Sequence, residues 1–191
     1  LTIHLGEPPK SFDWEWTDSD GKFHRDGEIT PVEFWKKYVN AGLEDYVCLV
    51  DDPRAEHPKG KKIAIEHLGN VAGGDATEYL NVPNQFMKDC VRKILVEKGI
   101  PVWFGADCHP MMDRENGAWA TDLFEYGRVY GVDFDLDKEE RVRFADSAMN
   151  HAMAFAGVDV ADDGTTTRRW RVENSWGTDI ADKGYFTMSD D

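Results

Sequence analysis

Residues 149–177 constrain this chain most, because two candidate strands flank a single turn and the chain must double back on itself there. His151 is followed directly by an apolar or small run, Ala152 to Gly157. Asp162-Asp163-Gly164 then supplies turn chemistry, and Arg168 to Trp176 alternates charged and apolar residues with the two-residue period of a strand. In an antiparallel hairpin the first position of one strand lies beside the last position of the other. His151 is therefore expected near Asn174. A carboxamide beside an imidazole can fix one tautomer and one ring orientation.

Taken alone, a His that opens a strand and an Asn that closes one are also ordinary surface and turn residues. The wording around them is more specific: N-H-A-M, then E-N-S-W-G, then K-G-Y. These segments resemble the His and Asn segments of papain-like cysteine proteases. R-V-E-N-S-W-G, with V-W-F-G upstream, most resembles the bleomycin hydrolase branch, called aminopeptidase C in bacteria. I-T-P-V-E-F near the start and L-V-D-D-P-R in the middle extend the resemblance over the whole chain. The resemblance implies an α+β, papain-like fold: a sheet-rich, barrel-like subdomain with flanking helices, incomplete here, with residues 1–191 forming a single partial domain from the C-terminal part of such a peptidase. It implies that His151 is the general acid and base, that Asn174 accepts a hydrogen bond from the distal ring nitrogen, and that Trp176 shields that bond from water. Trp176 is equally suited to be a core aromatic, and the two roles are compatible. Glu173, next to Asn174 in a strand, is expected to face away from the site.

The nucleophile is expected to lie outside this chain. Cys90 falls within a helical apolar stripe, where a core role is expected, and Cys48 within an apolar strand, Tyr46 to Val50. Cys108 and His109 are adjacent on an extended segment, so their side chains point to opposite faces and cannot easily share a proton. None of the three cysteines has the G-x-C-W type context that the resembled family uses for its thiol. The chain opens at Leu1 in the manner of a strand and stops at Asp191 straight after another, so both ends read as the ends of a fragment. The family's oxyanion Gln would precede it, and the arm that restricts attack to free amino termini would follow it. The resemblance implies that the intact protein is a cytoplasmic cysteine aminopeptidase acting on peptide substrates, assembled as a homo-hexamer around an inner chamber. The 191 residues alone are expected to be inactive. Two alternatives stay open: a non-catalytic relative acting as a structural or binding module, and a metal-dependent hydrolase. The second is weak, since six scattered histidines include no H-E-x-x-H.

Elsewhere the pattern is that of an ordinary folded domain. W-E-W predicts a short strand, with a hairpin turn at Asp18 to Gly21. Asp18, Asp20 and Asp26 lack calcium-loop register and read as a solvated turn. Thr30-Pro31-Val32-Glu33 is a helix start with a capping box, followed by an apolar stripe of Phe34, Trp35, Tyr38 and Val39 and a stop at Gly42. Lys61 to Leu68 is a candidate strand. Gly69 to Gly74 is a loop whose paired glycines lack the Lys-Ser/Thr sequel of a phosphate loop. Pro83 to Lys98 is the clearest helix, and Pro101 to Ala106 a strand. Residues 111–132 are irregular, with helical character around 121–130. Asp137 opens a second capped helix, predicted to carry Val142, Ala145, Ala148 and Met149 inward and to end just before His151. Tyr185 to Met188 is a last strand. A formal charge of −15 argues against nucleic-acid and anionic-membrane partners, which would need clustered Lys and Arg. Three cysteines in unrelated contexts fit a reducing compartment better than a disulfide framework. No metal or other cofactor is expected.

Overall fold

A computed structural model describes residues 2–39, 42, 45–66, 68, 69, 71–134 and 136–191. The chain divides into two compact units, Leu1–Val47 and Cys48–Asp191.

The first unit opens with a single exposed helical turn, α1 (Thr2–Leu5), where a strand was expected. Strands β1 (Phe12–Thr17) and β2 (Phe23–Ile29) form an antiparallel hairpin. Its turn consumes the Asp18 carboxylate, which accepts the Asp20 and Lys22 backbone N–H groups at 3.0 and 2.9 Å. The alternation in W-E-W puts Trp14 and Trp16 on one face, with ring centroids 5.8 Å apart. Helix α2 (Pro31–Phe34) begins with the predicted box: Glu33 N–H donates to Thr30 Oγ1 and Thr30 N–H to the Glu33 carboxylate. It widens into π-type turns over Trp35–Val39. Phe34 packs edge-on against Trp14 at 4.8 Å and Tyr38 against Trp16 at 5.4 Å. The expected buried stripe is corrected, because Phe34 is half-buried while Trp35, Tyr38 and Val39 remain exposed. A two-stranded ribbon covers only one side of the helix laid on it.

The second unit holds two sheets. In the smaller, β3 (Leu49–Val50) runs parallel to β5 (Glu78–Asn81), and β4 (Lys62–Ala64) pairs antiparallel with β5. Strands β3 and β4 are shorter than Tyr46–Val50 and Lys61–Leu68, since β5 offers only four residues to pair with. Tyr46, Val47 and Cys48 are exposed. Asn81, fully buried, ties this corner together. Its Oδ1 accepts from Asp52 N–H at 3.0 Å and Lys59 Nζ at 3.1 Å, and its Nδ2 donates to the Asp52 and His57 carbonyls.

Helix α3 (Asn84–Lys93) runs on as π-type turns over Ile94–Lys98 and stops at Gly99 in the left-handed conformation, φ 62°. Val91 and Leu95 pack on the main core, Cys90 is half-buried and Phe86 is exposed. The stripe expected on this helix is therefore only partly covered.

The larger sheet contains β6 (Val102–Ala106), β7 (Met112–Asp113), β8 (Ala118–Trp119), β9 (His151–Val160), β10 (Thr167–Glu173) and β11 (Tyr185–Ser189). Their spatial order is β6-β9-β10-β11-β8-β7; every neighbouring pair is antiparallel except β11 with β8. Cys108, Trp119, Met153, Trp170, Val172 and Phe186 are its buried core. Helix α4 (Tyr126–Tyr130) lies within the irregular stretch. Helix α5 (Lys138–Arg143) has the predicted Asp137–Glu140 capping box but only six residues. Ala145, at φ 58°, leaves the helical region, and Ala145, Ala148 and Met149 are exposed. A loop, not a helix end, leads into His151. Among the described residues no helix is long and apolar enough to cross a membrane.

Candidate active site

The period of two along each strand decides which side chains can meet. In β10, Trp170 and Val172 point to the core while Arg169, Arg171 and Glu173 point out, so the next core-phase position is Asn174. In β9, Met153 is buried, and His151 shares its face two residues earlier. The sheet therefore delivers an imidazole and a carboxamide to the same side at the same end. His151 Nε2 lies 2.8 Å from Asn174 Oδ1. Glu173 faces outward, as its position in the alternation requires.

The proton's place follows from a neighbour. Asn174 Oδ1 also accepts the Ser175 backbone N–H at 2.8 Å. A backbone N–H can only donate, so the amide atom facing it is the oxygen, and that settles which way the carboxamide is turned. An oxygen in that position makes Nε2 the protonated nitrogen of the neutral ring. Nδ1 is then the nitrogen left to take or give a proton. The Asn174 Nδ2 group is buried without a hydrogen-bond partner among the described residues, so Oδ1 carries all the bonding the side chain makes.

The loop after Asn174 is shaped to hold that geometry. Asn174 N–H donates to the Gly184 carbonyl at 3.1 Å, and Gly184 N–H donates to Ile180 at 2.8 Å. Gly184 has φ 90°, and a Cβ there would stand 2.8 Å from the Gly177 carbonyl oxygen. Only glycine closes this loop, which gives the K-G-Y segment its physical reason. Trp176 stacks on His151 with ring centroids 5.2 Å apart and 20° between planes, while Phe186 meets it edge-on at 5.7 Å. Trp176 thus both flanks the His–Asn bond and packs on the core.

On the other side of His151, the preceding residue is clamped. Asn150 N–H bonds the Ala106 carbonyl at 3.1 Å; its side chain accepts from Cys108 N–H at 3.2 Å and donates to Asp107 at 2.7 Å. This clamp was not foreseen. Its only sequence signal is the Asn in N-H-A, beside the His it steadies. Arg114, with its guanidinium carbon 4.4 Å over the Trp176 ring, was missed as well; nothing local in the turn D-R-E-N-G marks it.

The cysteines stand apart from this arrangement. Cys48 is exposed, Cys90 half-buried, and Cys108 almost fully enclosed at 1% exposure. Burial, reinforced by the charge of Asp107, pushes the Cys108 thiol above the ordinary cysteine range, away from thiolate character. His109 is exposed beside it, so the two do face opposite ways. The His151 ring hydrogen-bonds Asn174 and no cysteine among the described residues. His24 and His57 are each engaged by a single carboxylate, Asp18 and Asp52. No three His, Cys, Asp or Glu side chains among the described residues gather closely enough to hold a metal ion.

The sequence profile of the Peptidase C1-like family matches residues 1–191. The chain is 42% identical over its whole length to an aminopeptidase C of Lactobacillus delbrueckii subsp. lactis, covering 42% of that protein. It is 41% identical to the bleomycin hydrolase of Homo sapiens, again over its whole length and covering 43% of that protein. The crystal structure of PepW from Lactobacillus rhamnosis superposes with a TM-score of 0.90 at 40% identity, over 99% of this chain and 42% of that one. The chain spans well under half the length of these relatives.

Proposed function

This chain belongs to the Peptidase C1-like family, with the α+β papain-like fold, and we propose that it supplies the acid–base half of a cysteine aminopeptidase. The observation that carries the reading is the 2.8 Å bond between His151 Nε2 and Asn174 Oδ1, flanked by the Trp176 ring.

In the proposed reaction a cysteine thiol gives its proton to His151 Nδ1, and the thiolate attacks the peptide carbonyl. The imidazolium then protonates the leaving amine, and a water, deprotonated by the same nitrogen, releases the acyl group. Asn174 keeps the Nε2–H pointing away from this traffic, so Nδ1 always faces the reacting atoms. Trp176 keeps water off the Nε2–Oδ1 bond, which strengthens it in the lower local dielectric. The thiol is supplied by sequence outside these 191 residues. Support for that comes from the contexts of the three cysteines and from the greater length of the relatives. The substrates are peptides with free amino termini, and the working form is a homo-oligomer in the cytoplasm.

The absence of a thiol bonded to His151 also suits a non-catalytic relative that kept the fold. One experiment separates the readings. The purified chain is expected to hydrolyse no aminoacyl amide, whereas adding the thiol-bearing segment of the same polypeptide restores turnover that iodoacetamide blocks. Thiol-sensitive turnover by the chain alone, abolished by Cys108→Ala, would overturn this division of labour and make Cys108 the nucleophile. A complete polypeptide without turnover would favour the non-catalytic relative.

A further inference from the structure

Arg114 is the arginine that the described residues leave without a polar partner. Of the ten arginines, all of them described, nine donate a hydrogen bond or an ion pair to a carboxylate or a carbonyl. Arg114 makes neither with any described residue, in a chain with 37 acidic residues. Of its flanking acids, Asp113 accepts from Glu115 N–H, Asn116 N–H and Asn116 Nδ2. The guanidinium instead lies on the Trp176 ring, and the side chain is exposed. A guanidinium held over an aromatic ring keeps its five in-plane N–H donors available to a ligand.

The place matters as much as the vacancy for a partner. Trp176 carries both groups, with the guanidinium carbon 4.4 Å from its ring and the imidazole 5.2 Å from it. Arg114 therefore lies within about 10 Å of the imidazole, roughly one Debye length at 0.1 M salt. His151 is the group that protonates the leaving amine in the proposed reaction. The portion of peptide that departs therefore starts beside the imidazole, and Arg114 lies on the Trp176 side of that ring.

Building on the peptidase reading above, we propose that Arg114 is a specificity-determining residue that binds a carboxylate on the leaving part of the peptide. That carboxylate is either the C-terminus of a short peptide or an acidic side chain next to the cleaved bond. A fork held over an aromatic ring suits bidentate carboxylate recognition, which a lysine cannot reproduce.

The test uses the complete thiol-containing polypeptide and four substrates with the same N-terminal residue: Ala-Ala with a free carboxylate, Ala-Ala amide, Ala-Asp amide and Ala-Asn amide. We expect kcat/KM to favour at least one carboxylate substrate over its neutral partner by about tenfold, the range of a charge-assisted hydrogen bond. The first pair reports a C-terminal carboxylate and the second an acidic side chain. Arg114→Gln should bring that ratio to about one, and Arg114→Lys should restore it only in part. A ratio near one in the wild type, a ratio unchanged in Arg114→Gln, or an equal fall for all four substrates overturns the proposal and leaves the peptidase reading standing. No thiol-dependent hydrolysis of even the neutral amides overturns the peptidase reading, and this proposal with it.

Discussion

At the scale of single residues, the two site residues differ in what their loss removes. His151→Ala takes away the group that moves the proton, and general acid–base catalysis is worth about 10²–10⁴ in rate. Asn174→Ala takes away only the acceptor that fixes the ring, and thermal sampling still visits the productive orientation. In the complete polypeptide, kcat/KM should fall by about 10²–10⁴-fold for His151→Ala and by clearly less for Asn174→Ala. Equal and complete loss in a folded Asn174→Ala variant would mean the amide does more than orient. A second residue-scale effect is acid sensitivity at Asp52. The Arg54 guanidinium, followed by the His57 ring, holds this nearly buried carboxyl well below the usual carboxylate range. A depressed folded-state pKa means stability that is present above the unfolded value, about 4, and is lost as pH falls below it. Urea unfolding of the wild type should therefore show a steep loss below about pH 4. Asp52→Asn should be less stable at neutral pH and lose less on acidification. Identical acid limbs would place the sensitive carboxylate elsewhere. His151 and Asn174 were legible because a hairpin and a two-residue period locate both. Arg114 and the Asn150 clamp were not, because they join segments distant in sequence whose meeting only the folded sheet decides.

At the scale of elements, turns and caps were more legible than burial. The boxes at Thr30 and Asp137 and the stop at Gly99 are local arrangements of a few residues, and each forms as its sequence dictates. Strand β9 was harder. Register shifts between Arg171 and Val172, so that Gly157 and Phe155 face successive residues of β10 and Ala156 is left between them. Such a bulge breaks the alternation that sequence reading depends on. Helix α5 was overestimated because a run of alanines and a methionine has helical periodicity whether or not anything covers it. Packing therefore has to be tested, and β11 offers a clean contrast with β6. Phe186, 1% exposed, is enclosed by the core and braces Trp176. Phe186→Ala should destabilise the chain by about 3–5 kcal/mol, the usual cost of an emptied aromatic site. Trp103, on the edge strand β6, is 77% exposed, so Trp103→Ala should stay within about 0.5 kcal/mol. Denaturant midpoints of the two variants check this, and a Trp103→Ala cost rivalling that of Phe186→Ala would show that the edge is covered in solution.

At the scale of the whole molecule, the division between Val47 and Cys48 had no sequence signal, since no Pro-, Gly- or Ser-rich run marks it. Charge, by contrast, was fully legible and has a consequence that the individual ion pairs do not cancel. There are 37 acids against 22 Lys and Arg, and the pairs that form double up on some acids: Asp51 takes Lys59 and Lys138, and Asp159 takes Arg168 and Arg169. Arg25 and Arg143 in turn each reach two carboxylates, so pairing leaves the excess of acids over Lys and Arg uncompensated. Exposed pairs are worth about 0–1 kcal/mol each, while repulsion among the remaining carboxylates acts over the whole surface and opposes compaction. Salt separates the two by range. The Debye length shrinks from about 30 Å at 0.01 M to about 8 Å at 0.15 M, which removes long-range repulsion before it weakens contacts of a few ångströms. Raising NaCl over that interval at pH 7 should increase Tm by a few degrees, on the order of 1 kcal/mol of stability. The gain should shrink as pH approaches the sequence pI of about 4.7, where the net charge vanishes. A Tm that falls with salt at pH 7 would mean that the ion pairs, not the excess charge, set the electrostatic balance of this fold.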